Sequence, residues 1–196
     1  MNPSPSGNNS PFPASATIYL IRHAEKPASG SGLSPEGQAR AQAYVKYFQN
    51  LQNPSGQAIT WDNLFASTDS DNSDRPVLTI TPLANQLKLT INSNFADKHY
   101  KKLVDELKDP AQGSYAGKNI LICWHHGEIL DLATKLGASP SSLPSSSNWP
   151  AKWNPAVFGW LLQIYYDANG AIITTSSRTI NEHLMSDDTI DPVYDK

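Results

Sequence analysis

The chain has 196 residues, 39% of them hydrophobic and 17% charged, with 15 Pro and 11 Gly; this is long enough for a real core in one domain and excludes a wholly disordered or coiled chain. Fifteen Lys and Arg against eighteen Asp and Glu leave a formal net charge of −3, so no global basic field recruits nucleic acid or an anionic membrane. The single cysteine, Cys123, excludes an intramolecular disulfide and a thiolate-rich metal cage, and it fits a reducing compartment, which makes the cytoplasm the expected location.

The opening stretch, MNPSPSGNNSPFPASA, has neither the basic nor the apolar region of a signal peptide, and residues 1–15 read as a flexible arm. No apolar run approaches the roughly 20 residues of a spanning helix. Residues 17–22, TIYLIR, have the β-branched and aliphatic character of a strand buried on both faces. Ser34, Pro35 and Glu36 then offer an N-cap, a preset φ and a first-turn carboxylate. They predict a helix with Tyr44, Val45, Phe48 and Leu51 on its apolar side and a stop at 53–56. A short strand is expected over Trp61–Ala66. A polar loop leads to a helix starting at Arg75 that Pro82 should kink or restart, with Thr81 capping its second part.

Tyr100, Leu103, Val104 and Leu107 mark another amphipathic helix. Residues 119–124, NILICW, read as a second buried strand, and Glu128–Leu136 as a helix closed by Gly137. Val157–Tyr166 and Ala171–Ser176 flank Asp167-Ala168-Asn169-Gly170, a sequence suited to a hairpin turn. The acidic, Pro-interrupted end, 186–196, reads as a surface tail. The alternation predicts an α/β fold over 16–185: a three-layer α/β/α sandwich with a mostly parallel central sheet and an antiparallel edge.

Both buried-looking strands end in histidine: TIYLIR runs into His23, and NILICW into His125-His126-Gly127. In open α/β sheets ligands bind beyond the carboxyl ends of the strands, so the histidines are expected to share one crevice. Arg22, Lys26 and Arg75 would add positive charge there, and imidazoles with guanidinium groups suit a phosphoryl group. A metal site built from His23, His125, His126 and a carboxylate is the chemical alternative. Against it, adjacent residues at an extended strand end point to opposite sides, and Arg22 repels a cation. Trp149, Trp153 and Trp160 fit either a substrate lid or aromatic packing over the sheet edge.

Arg22-His23-Ala24-Glu25-Lys26-Pro27 after a hydrophobic strand resembles the RHG/RHxEKP signature of the histidine phosphatase, or phosphoglycerate-mutase-like, superfamily. LeuSerProGluGlyGlnAlaArgAla at 33–41, Ala66-Ser67 with Arg75 and Thr79 beyond, and His126-Gly127 after a strand follow in the same order. The resemblance thus spans most of residues 16–137. It implies a metal-independent phosphatase, without cofactor, in which His23 becomes phosphohistidine while Arg22, Arg75 and His126 hold the phosphoryl oxygens. Glu25, Lys26 and His125 would border the substrate, Glu25 and Lys26 alternatively serving as a loop-orienting ion pair. His125 stands where some members carry a carboxylate; His126 is preferred over it because it precedes Gly127. Glu25, Glu128 and Asp97 all remain open as the general acid. The implied substrate is a phosphorylated small molecule or a phosphoprotein. A phosphomutase, or a phosphate-binding or regulatory protein on the same fold, is the alternative.

Overall fold

The computed structural model describes residues 12–109 and 115–194. Its strands are β1 (Thr17–Arg22), β2 (Asn63–Ser67), β3 (Ile91–Phe95), β4 (Asn119–Trp124), β5 (Trp160–Tyr165) and β6 (Arg178–Asn181); its α-helices are α1 (Pro35–Asn50), α2 (Arg75–Leu87), α3 (Tyr100–Lys108) and α4 (Ile129–Lys135). One sheet runs in the order β3-β2-β4-β1-β5-β6. β1 pairs in parallel with β4, β4 with β2 and β2 with β3, while β5 runs antiparallel to β1 and β6 to β5. The expected α/β sandwich with an antiparallel edge is therefore the architecture observed.

Side-chain alternation divides the interior into two layers. Ile18 and Leu20 of β1, with Ile120, Ile122 and Trp124 of β4, face α3 and α4 through Leu103, Val104, Leu107, Ile129 and Leu132. Tyr19 and Ile21, with Leu121 and Cys123, face α1 and α2 through Tyr44, Phe48, Ile80 and Leu83. Each inner strand supplies both cores, which explains why both read as unbroken apolar runs.

Helix α1 begins as its sequence predicts. The Ser34 hydroxyl accepts from the Gly37 amide at 3.1 Å and Pro35 occupies the first turn. Gly37 is required for packing: a Cβ there would overlap the Glu25 carbonyl, so only glycine lets the loop after β1 lie on the helix.

The structure departs from the expectations at four places. First, α2 runs unbroken through Pro82, and Thr81 caps nothing, its hydroxyl donating instead to the Val77 carbonyl at 2.8 Å. The bond that Pro82 cannot make would run to the carbonyl of exposed Leu78, on a side of the helix where solvent satisfies it. Second, β3 was not foreseen: Asn92, Ser93 and Asn94 interrupt any apolar pattern, as suits an edge strand paired only with β2.

Third, the hairpin turn forms where expected, with Gly170 at φ 76° and the Asp167 carboxylate accepting from the Asn169 and Ala171 amides. The returning chain, however, makes only a Tyr166–Ile172 bridge before its strand forms at Arg178–Asn181 rather than 171–176. Fourth, the chain ends are anchored where they are described. Phe12 stacks on Tyr166 at 5.1 Å and the Ser15 amide donates to Asp167 at 2.7 Å; the rest of the expected N-terminal arm, 1–11, lies outside the described residues. Asp188 is buried, the Trp160 indole donates to the Ile190 carbonyl at 2.7 Å, and the Tyr194 hydroxyl donates to that of Pro140 at 2.7 Å.

Candidate active site

β1 and β4 are adjacent and in register, with Arg22 opposite Trp124, so the residues that follow them emerge side by side. The His23 amide donates to the Trp124 carbonyl at 3.0 Å, extending the ladder one step. Beyond it the chain turns at once, the Glu128 and Ile129 amides both returning to the His125 carbonyl at 3.1 Å. The strand is thus not extended across His125 and His126, which overturns the geometric premise that they point apart. Ring centroids lie 4.9 Å from His23 to His125 and 6.5 Å from His23 to His126, both edge-on. Among the described residues no group of three His, Cys, Asp or Glu is placed to hold a metal ion.

His23 is buried, and its Nδ1 lies 2.7 Å from the Ala24 carbonyl oxygen. A carbonyl only accepts, so Nδ1 carries the proton and the neutral ring keeps its lone pair on Nε2. The Ala24 amide in turn donates to the Thr79 hydroxyl at 2.8 Å, and that hydroxyl donates to the Arg75 carbonyl at 2.7 Å, tying the loop after β1 to the first turn of α2. Burial, reinforced by Arg22, His125 and Arg75, pushes the His23 imidazole down to about 3. Burial and the charge of Arg75 take His125 to about 4. His126 is lowered by burial and by Arg22 and Lys26. All three rings are therefore neutral at physiological pH, and Arg22 and Arg75 are the fixed cations that act on His23 and His125.

Arg22 is held from the antiparallel edge. Its NH1 donates to the Pro155 and Val157 carbonyls at 2.7 and 2.8 Å, and its guanidinium lies 3.8 Å from the centroid of the Phe158 ring. That ring also meets His23 edge-on at 6.4 Å. Arg22 Nε is buried without a partner, as are Arg75 Nε and His126 Nδ1. Arg75 is only loosely engaged, donating to the carbonyls of Ser31 and Asn72 at 3.2 and 3.3 Å. Unused donors at one sheet end are what an anionic ligand would satisfy.

Lys26 is exposed, and its charge acts on His126. Glu25 Oε1 is taken by Arg40, at 2.8 Å from its Nε, which places one oxygen of this carboxylate in an internal ion pair. Asp97 lies in the turn of 3₁₀ helix that follows β3, where the Trp124 indole donates to its carbonyl at 3.0 Å. Its Oδ1 is buried without a partner, and burial with the nearby Glu128 charge raises its carboxyl to about 6.

Phe158, Arg40 and Asp188 were not foreseen. Phe158 reaches the site only because β5 runs antiparallel and enters the sheet at the end where β1 leaves it. Arg40 carried a readable signal: it falls on the helical stripe Gly37, Arg40, Ala41, Tyr44, Phe48, all buried, and a charge on such a stripe needs a partner. Trp149 and Trp153 belong to the core and brace the 149–158 segment, the Trp153 indole donating to Val157 at 3.0 Å.

No family model matches the sequence, and no curated protein matches it. Solved structures do match in fold. A phosphoglycerate mutase from Bacillus anthracis is 15% identical, the alignment covering 86% of this chain and 95% of that one, with a TM-score of 0.54. A phosphoglycerate mutase from Plasmodium falciparum is 14% identical over 86% and 92% of the two chains, with a TM-score of 0.53. A phosphoserine phosphatase variant from Entamoeba histolytica, in complex with phosphoserine, is 11% identical over 87% and 99%, with a TM-score of 0.52. The chain thus shares the fold of these two phosphoglycerate mutases and this phosphoserine phosphatase.

Proposed function

We propose that the protein is a phosphatase that hydrolyses a phosphomonoester through a phosphohistidine on His23, without a metal ion. The observation that carries this reading is the His23 Nδ1 contact with the Ala24 carbonyl, which leaves the Nε2 lone pair free in a ring flanked by His125 and His126. Nε2 attacks phosphorus, the P–O bond to the leaving group breaks, and the departing oxygen takes a proton from Asp97. Arg22, Arg75, His125 and His126 stabilise the charge on the equatorial oxygens, the part played by metal ions in kinases. Water then attacks the phosphohistidine, returns a proton to Asp97, and inorganic phosphate leaves.

Asp97 is preferred over Glu25 as the acid because Glu25 is engaged with Arg40. Burial and the nearby Glu128 charge raise the Asp97 carboxyl to about 6, and an acid must hold its proton at working pH. A phosphorylated small molecule or a phosphoprotein is the substrate class.

The test is the intact-protein mass after brief exposure to a labile phosphate donor and an alkaline quench, compared with His23→Ala. An acid-labile phosphoryl adduct present in the native protein and absent from the variant is expected. Phosphate binding with neither adduct nor turnover across several donors would overturn the reading in favour of a phosphate-binding protein.

A further inference from the structure

We infer that Asp188, in the C-terminal segment, is a positioning residue for His23 that acts through Arg40 and Glu25; its catalytic consequence rests on the phosphohistidine reading, its structural consequence does not. Arg40 is wholly buried and shared between two distant carboxylates. Its NH1 and NH2 donate to Asp188 Oδ2 and Oδ1, each at 2.8 Å, and its Nε donates to Glu25 Oε1 at 2.8 Å. A planar guanidinium fork fixes the angle between the groups it joins, so the position of one carboxylate constrains the other.

Asp188 is itself fixed. Its Oδ2 also accepts from the Leu184 and Met185 amides at 3.1 and 3.0 Å, and its carbonyl accepts from Asn181 Nδ2 at 2.9 Å. It packs against Gly159, where a Cβ would lie 2.5 Å from the Asp188 carboxyl carbon. Gly159 directly follows Phe158, so the same carboxylate braces the segment that carries the Arg22 contacts.

At the other end, the Glu25 carbonyl accepts from the Ser34 amide at 3.0 Å. The Ala24–Glu25 peptide supplies the carbonyl that accepts from His23 Nδ1 at 2.7 Å. The orientation of that peptide plane decides which ring nitrogen of His23 holds the proton, and therefore whether Nε2 is free to attack. The chain of contacts runs from the C-terminal segment to the nucleophile, with no step longer than 2.8 Å between side chains. Groups that hold a reacting imidazole in its tautomer act without touching the substrate.

The experiment is nitrogen-15 NMR of the histidine rings in the full chain, together with rapid-quench phosphorylation by an aryl phosphate. Asp188→Asn presents an amide N–H to one arm of Arg40 and repels it. The expected result is a mixed His23 tautomer and a phosphorylation rate lower by about 10–100-fold. Tyr194→Phe, which removes only the contact of the same segment with Pro140, is expected to keep the native tautomer and rate. A folded Asp188→Asn protein with native tautomer and rate would overturn the inference. Should that variant not fold, Glu25→Gln interrupts the relay from the other end, and a native tautomer there would overturn it equally. A wild-type protein that forms no phosphoenzyme while Asp188→Asn still mixes the tautomer would overturn the phosphatase reading and leave the positioning role standing.

Discussion

The two inner strands that bear the histidines and the antiparallel edge that closes the site present opposite relations between local sequence and structure. β1 and β4 are buried on both faces, so residues 18–21 and 120–124 form unbroken runs of hydrophobic residues that the sequence shows directly. β5 is equally buried, yet its role at the site depends on direction. Because it runs antiparallel, the residues before it, not after it, lie beside the ends of β1 and β4, and Pro155, Val157 and Phe158 become the walls around Arg22. A strand reveals itself by its own composition, whereas the residues that it delivers to a site depend on which neighbour it pairs with and in which sense.

The largest expected effect tests the histidine end of that comparison. His23→Ala should lower turnover of an aryl phosphate by at least about 10⁴-fold while leaving the fold intact by circular dichroism; a variant with more than a few per cent of native turnover would break the assignment. Next comes Asp97→Asn, with an expected loss of about a hundredfold or more on an alkyl phosphate.

The pH profile gives the sign. On the proposed mechanism Asp97 must be protonated before substrate binds, which holds below about 6. His23 must be neutral, which holds above about 3, and the neighbouring His125 above about 4. The kcat/KM profile should therefore fall as pH rises through about 6 and fall again in strong acid. A phosphomonoester has its own second ionisation near about 6, so persistence of the upper limb in Asp97→Asn would assign it to the substrate.

The edge can be tested for stability rather than chemistry. Leu20 of β1 and Leu162 of β5 lie opposite each other and are both fully buried. Leu20→Ala and Leu162→Ala should each cost about 2–5 kcal/mol in urea unfolding. A markedly smaller cost at Leu162 would show that the edge is less cooperative with the core than its burial implies. The smallest effect is Trp160→Phe, which removes the indole bond to Ile190. It should cost about 1 kcal/mol and speed amide exchange of residues 184–191; no change in exchange there would mean that the contacts of Asp188 and Asn181 suffice to anchor the segment.

The sequence was most legible where one local rule governs several adjacent residues. Ser34 and Pro35 announce α1, and Asp167 to Gly170 announce the turn, because caps and turns are chemistry among near neighbours. The same locality explains the failures. β3 carries Asn92, Ser93 and Asn94 because an edge strand is freed from the two-sided burial that makes a strand visible. Pro82 sits inside a helix because the lost bond falls where solvent can reach it. Asp188 looked like one more acid in an acidic tail, since its partner Arg40 lies 148 residues away.

The sequence by itself determined the layered α/β fold, the two buried strands and the placing of His23, His125 and His126 at their ends, since periodicity and composition encode burial directly. Only the tertiary structure decided which nitrogen of His23 is free, that both later histidines turn toward it, that Arg22 is held by residues far along the chain, and that the Arg40 bound to Glu25 is itself held by distant Asp188. Those outcomes depend on distances of a few ångströms between segments that share no local pattern, and only the packed sheet brings them within reach.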